Sequence, residues 1–159
     1  MKIELDGKVP FFQAYHASTY IVSHDDRNVV TLKEPRESRI YKFKNVSKKE
    51  LVVYKIDGGL ISDNAVQKCD FAILTEDDVL FLIELKGADY IHALQQLLST
   101  ISTLLLRPQI MVQKLNARVV LSKIRVPDIM TTQEKKLRFL LKTCKGDLLR
   151  KCQVLEESY

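Results

Sequence analysis

At 159 residues with 46% apolar side chains, the chain has material for one ordinary domain built around a single buried core, residues 1–159 forming one unit. With 28% charged residues, five Gly and four Pro, disordered, collagen-like and low-complexity architectures are excluded. Twenty-five Lys and Arg against twenty Asp and Glu leave +5, and that excess is unevenly placed.

Residues 114–151 carry eleven basic and three acidic residues (+8), residues 1–113 fourteen and fifteen (−1), and residues 152–159 two acids (−2). A basic stretch of this kind could attract a polyanion, although, taken alone, a solvated surface is the simpler explanation. The apolar run around Leu104–Leu106 falls far short of the ~18 residues of a membrane span, and MKIELDGKVP has no apolar signal core. The expectation is a soluble, cytoplasmic protein with no membrane partner. Cys69, Cys144 and Cys152 form no C-x-x-C pair and read as free thiols.

In chain order, short β-branched and aromatic runs (Thr19 to Val22, Val29 to Leu32, Ile40 to Phe43, Leu51 to Ile56) alternate with polar breaks and predict a β-rich N-terminal region over about residues 1–50, leading into a core over about 51–155. After the Asp57-Gly58-Gly59 turn, Lys68 to Leu74 and Val79 to Lys86 predict a hairpin around the acidic tip Thr75-Glu76-Asp77-Asp78. Asp89 predicts an N-cap for a helix whose apolar residues, from Tyr90 to Leu105, recur at three- and four-residue steps until Pro108. A strand over Arg118 to Ile124, a helix from about Thr131 to Thr143 with Thr131 or Thr132 as cap and Gly146 as stop, and a last strand near Leu149 to Leu155 complete the order. Such alternation predicts an α/β fold, a mixed central sheet flanked by helices.

The informative stretch is residues 68–97, KCDFAILTEDDVLFLIELKGADYIHALQQL. Along Val79 to Lys86, Leu80, Leu82, Glu84 and Lys86 share one face and Val79, Phe81, Ile83 and Leu85 the other, so two opposite charges end a strand that is otherwise apolar on both faces. A desolvated charge there needs a partner or a metal. Asp70 stands seven residues before Asp77 and Glu84 seven after it, which brings the carboxylates opposite one another in a hairpin. A pair of close carboxylates suits Mg²⁺ or Mn²⁺, and Lys86 adds an ammonium beside them. These parts suit phosphodiester hydrolysis, with the carboxylates holding the ion and Lys86 orienting the attacking water.

Asp70, thirteen intervening residues and Glu84-Leu85-Lys86 resemble the motif of the PD-(D/E)xK nuclease superfamily over roughly residues 51–125. The resemblance implies a restriction-endonuclease-like fold and a Mg²⁺- or Mn²⁺-dependent nuclease, like the small stand-alone members from microbes and their mobile elements. It also implies that a glutamine of the following helix lies near the active site, here Gln96, with Gln95 as the alternative. Cys69 replaces the eponymous proline, and an upstream acid common in such proteins has three competitors, Glu34, Glu37 and Glu50. Asp57 reads as a turn residue rather than a ligand. His16, His24 and His92 lack the spacing of a metal triad, and neither a nucleophile elbow nor a phosphate loop is present.

For a nuclease, the basic stretch supplies phosphate contacts: Lys123, Arg125, Lys135, Arg138 and Lys142, with Lys114, Arg118 and Lys136 beside them. Phe139 is its one aromatic residue, which favours duplex or branched DNA over a stacked single strand. Cutting both strands further suggests a homodimer. The alternative is a non-catalytic module of the same fold that binds nucleic acid or a protein partner, as in a host or viral defence system.

Overall fold

The computed structural model describes residues 9–85, 89–123 and 129–159. In chain order these form β1 (Val9–Pro10), α1 (Phe11–Ala14), a 3₁₀ turn (Ser18–Tyr20), β2 (Ile21–Asp25), β3 (Val29–Leu32), β4 (Ile40–Lys44), β5 (Leu51–Lys55), β6 (Phe71–Thr75), β7 (Val79–Leu85), α2 (Tyr90–Ile101), a π-helical continuation (Ser102–Leu106), β8 (Ile110–Met111), β9 (Lys114–Leu121), α3 (Thr132–Thr143), β10 (Leu148–Cys152) and β11 (Val154–Ser158). The fold is mixed α/β.

Six strands form an open mixed sheet in the order β10-β9-β7-β6-β5-β2. Pairing is parallel from β10 through β9 to β7 and antiparallel from β7 through β6 and β5 to β2. β11, β4 and β3 form a second sheet, and β1 pairs with β8. All seven residues of β7 are buried, as its two apolar faces require. Leu80 and Leu82 face a core shared with Leu94, Leu97 and Ile101 of α2 and Leu137 and Leu141 of α3. Val79, Phe81, Ile83 and Leu85 face Tyr41, Phe43 and Leu155 of the second sheet. The central sheet is thus covered by helices on one side and by a small sheet on the other.

Both long helices start where their caps predict. Asp89 accepts a hydrogen bond from the His92 amide at 2.9 Å, and Thr131 from the Glu134 amide at 3.2 Å. α3 ends on the Gly146 amide donating to the Leu141 carbonyl at 2.8 Å, with Lys145 left-handed at φ 61°. Among the described residues no helix is long and apolar enough to cross a membrane. The three cysteines are free thiols, as their spacing predicts.

Several boundaries differ from the sequence reading. β9 starts at Lys114 and ends at Leu121, because its polar start pairs with the start of β7, Val79 opposite Lys114. The single strand expected over Leu149 to Leu155 is two, broken at Gln153, whose φ of 66° turns the chain from one sheet into the other. Arg118, read as a phosphate contact, is buried. Its Nε and Nη2 donate to the two carboxylate oxygens of Glu157 at 2.6 and 3.1 Å, Nη1 donates to Asp147 Oδ1 at 2.8 Å, and the guanidinium lies 5.4 Å from the Phe81 ring centre. That side chain is committed to joining the two sheets and is corrected to a structural role.

Candidate active site

β6 and β7 pair with Phe71 opposite Ile83, so Asp70 enters the hairpin at the level of Glu84. Asp70 bonds to both chain neighbours of Glu84: its amide donates to the Ile83 carbonyl at 3.2 Å, and its Oδ2 accepts from the Leu85 amide at 2.8 Å. The sheet end therefore fixes the first acid beside the second. Glu84 follows Leu80 and Leu82 on the helix-covered face and is 1% exposed. Lys86 lies outside the described residues.

Both carboxylates line a cleft of about 480 Å³ together with Glu34, Pro35, Glu37, Arg39, Asp57, Leu85 and Gln96. Four parts of the fold meet there. Glu34, Glu37 and Arg39 come from the connection between β3 and β4, Asp57 from the end of β5, Asp70 and Glu84 from the hairpin, and Gln96 from α2. Gln96 follows from α2 packing its Leu94–Leu97 stripe on β7; its Oε1 is buried and has no hydrogen-bond partner among the described residues. Gln95 does not line the cleft.

The three competing upstream acids separate. Glu50 lies at the opposite end of the sheet, where its Oε1 is 2.5 Å from His24 Nε2 and its amide donates to Glu76. Glu37 is half exposed and pairs with Arg39 at 3.0 Å. Glu34 faces the other acids: burial pushes its carboxyl above the ordinary carboxylate range, and the negative charge of Asp70 pushes it further. The cleft is negative enough to reach Cys69 as well, whose thiol is raised by burial and then by Glu84 and Asp70.

Asp57 was read as a turn residue, and it does close a turn, with Gly58 at φ 75° and the Asp57 amide donating to the Asp70 carbonyl at 3.4 Å. The same turn sets it on the cleft. Arg39 was missed altogether. The signal was present in the alternation Arg39-Ile40-Tyr41-Lys42-Phe43, which puts Arg39 in the inward row with Tyr41 and Phe43.

The donor set is all oxygen and anionic, the chemistry a hard divalent cation accepts, and the mutual repulsion at Glu34 is what a cation would relieve. Among the described residues, no three His, Cys, Asp or Glu side chains form a group that could hold a metal ion. A protein sphere of two carboxylates remains within the habit of Mg²⁺, which keeps water and phosphate oxygens for its other positions.

The basic stretch is divided in its roles. Lys123, Lys135 and Lys142 are exposed, while Arg125 lies outside the described residues. Arg138 and Arg150 both reach Glu134 Oε1, at 3.4 and 3.0 Å, and Glu134 also accepts a hydrogen bond from the Tyr90 hydroxyl. This cluster ties the start of α3 to the start of α2. Because Arg150 is level with Val119 and Val119 with Glu84, the basic helix begins at the same end of the sheet as the cleft. Compared with known proteins, the chain matches no family model, no curated protein and no solved structure.

Proposed function

We propose that the chain is a metal-dependent nuclease with a restriction-endonuclease-like core, hydrolysing phosphodiesters of DNA at the cleft around Asp70 and Glu84. The observation that carries the reading is the meeting of Glu34, Asp57, Asp70, Glu84 and Gln96 from separate elements around one cleft. Acidic side chains brought to one cleft from separate parts of the fold point to a ligand more than to a stabilising role.

In this reading Asp70 and Glu84 would hold a Mg²⁺ or Mn²⁺ ion, and Glu34 lines the same cleft. When bound, such an ion supplies charge stabilisation on the phosphate and a more acidic water. The hydrogen bond from the Leu85 amide to Asp70 fixes the carboxylate in its rotamer before any ligand arrives. Gln96 Oε1 is placed to accept a hydrogen bond from water in the cleft, and Lys86, two residues beyond Glu84, orients the nucleophile. The attacking water oxygen bonds to phosphorus as the bond to the leaving deoxyribose oxygen breaks; the water releases one proton to solvent, and the leaving oxygen takes one up from solvent. Lys123, Lys135, Arg138 and Lys142 hold the backbone of the nucleic acid, Arg138 by exchanging Glu134 for phosphate, and a homodimer presents two such clefts to two strands.

Cleavage of supercoiled, linear, single-stranded and branched substrates with Mg²⁺ or Mn²⁺ tests the proposal. Activity is expected on at least one DNA substrate and is lost in Asp70→Ala and in Lys86→Ala, both of which keep the wild-type melting temperature. Cleavage surviving both substitutions removes the mechanism. A second reading, a non-catalytic module of this fold that binds nucleic acid or a protein partner, is favoured by the want of a three-ligand group among the described residues. Calorimetric titration of Mn²⁺ separates the two: heat of binding that disappears in Asp70→Ala belongs to the nuclease, and none at all to the module.

A further inference from the structure

Arg39 stands in the cleft wall where the strand pattern calls for an apolar residue. It heads the inward row that continues with Tyr41 and Phe43, and it is 8% exposed. Its Nη2 forms an ion pair with Glu37 at 3.0 Å, and its Nε is buried with no hydrogen-bond partner among the described residues. Burying a guanidinium with a donor unsatisfied costs more than an ion pair with a half-exposed glutamate returns. The pair with Glu37 is too weak to account for the placement. A further anion, entering the cleft, would satisfy the remaining donors.

We propose that Arg39 is the phosphate-holding residue of this cleft, its guanidinium donating to the non-bridging oxygens of a phosphodiester held against Asp70 and Glu84. The inference rests on the nuclease reading for the source of the phosphate, and deepens it by giving the acidic site its positive wall. Five carboxylates line the cleft and repel a phosphate, and a fixed cation within the same cleft offsets that repulsion where the substrate must sit. The planar fork matches two phosphate oxygens at once, which an ammonium cannot do. Arg39 approaches from the second sheet, opposite Gln96 on the helix side, so the phosphate is gripped between the two layers that cover the central sheet.

The test compares wild type, Arg39→Gln and Arg39→Lys of the full chain, using thymidine 5′-monophosphate as the probe in the presence of Mn²⁺. Binding is read by calorimetry, alongside melting temperature, Mn²⁺ affinity and cleavage. Arg39→Gln is expected to bind Mn²⁺ as wild type does and to bind the nucleotide about thirtyfold more weakly, the loss of one charged hydrogen-bonding partner. Its turnover is expected to fall about a hundredfold. Arg39→Lys keeps the pair with Glu37 and is expected to lose several-fold in nucleotide affinity; it carries the test alone if the glutamine variant does not fold. Unchanged nucleotide affinity in a folded variant, loss of Mn²⁺ binding in Arg39→Gln, or a wild type that does not bind the nucleotide each overturns the proposal. A wild type that binds the nucleotide through Arg39 but cleaves nothing sustains the phosphate site and removes the hydrolase reading. A wild type that cleaves, and does so as well with glutamine at this position, does the reverse.

Discussion

Glu34 sits half-buried facing Asp70, and its carboxyl is harder to ionise than in water, first through burial and then through that neighbouring charge. Because the folded chain then binds this proton more tightly than the unfolded chain, the contribution of Glu34 to stability is unfavourable at neutral pH and is relieved as pH falls through the raised range. Glu34→Gln is therefore expected to melt at a higher temperature than wild type at neutral pH, with the gap closing as the buffer is taken down through the carboxylate range. Thermal melts over that range check it, and a gap that widens on acidification contradicts the account. Only part of this was readable beforehand. The positions of Asp70 and Glu84 followed from counting along a hairpin, since residues equidistant from a tight turn face each other. Choosing Glu34 over Glu50 needed the second sheet, because the two glutamates end up at opposite ends of the central one.

At the scale of elements, the helices and the hairpin follow local chemistry. Asp89 and Thr131 supply the cap oxygens, and the three- and four-residue apolar spacing gives each helix a stripe to bury. Gly146 illustrates a demand that local chemistry does not express. A Cβ built there would lie 1.7 Å from the Leu115 carbonyl oxygen, so the exit of α3 passes directly against β9. Gly→Ala ordinarily gains ~0.4–1 kcal/mol from the unfolded state. Here Gly146→Ala is expected to reverse the sign and cost about 2 kcal/mol, because backbone rather than a flexible side chain is in the way. Urea unfolding measures it, and a midpoint at or above wild type shows that the helix exit has room. From sequence this glycine reads simply as a helix stop, and its contact with β9 appears only once the strand is in place.

For the whole molecule, the joint between the two sheets is polar as well as apolar. Tyr41 donates to Glu157 at 2.7 Å, and Glu157 takes the Nε and Nη2 donors of Arg118, linking β4 and β11 to β9. Arg118→Ala strands a largely buried Glu157 and is expected to cost about 3–5 kcal/mol, with Arg118→Ala/Glu157→Gln recovering part of it. Chemical denaturation of the four proteins of that cycle is the measurement, and a single-variant loss below about 1 kcal/mol would contradict it. Because Glu34 and Arg39 are carried by the connection within the second sheet, loosening this joint also loosens one wall of the cleft.

Periodicity, caps and turns are written in neighbouring residues, and they alone determined the helices, the hairpin and the placing of Asp70 beside Glu84. Each is a matter of a few residues whose partners lie within one turn or one strand pair. Which strands lie side by side was decided only by tertiary structure. The break at Gln153 sends β10 to one sheet and β11 to the other, Arg118 is buried instead of facing a polyanion, and Glu34 and Arg39 are carried to a cleft over thirty residues away in sequence from Asp70. The reason is physical: long-range placement is set by which apolar faces cover one another, and a charged residue shows no trace of that choice in its own neighbourhood.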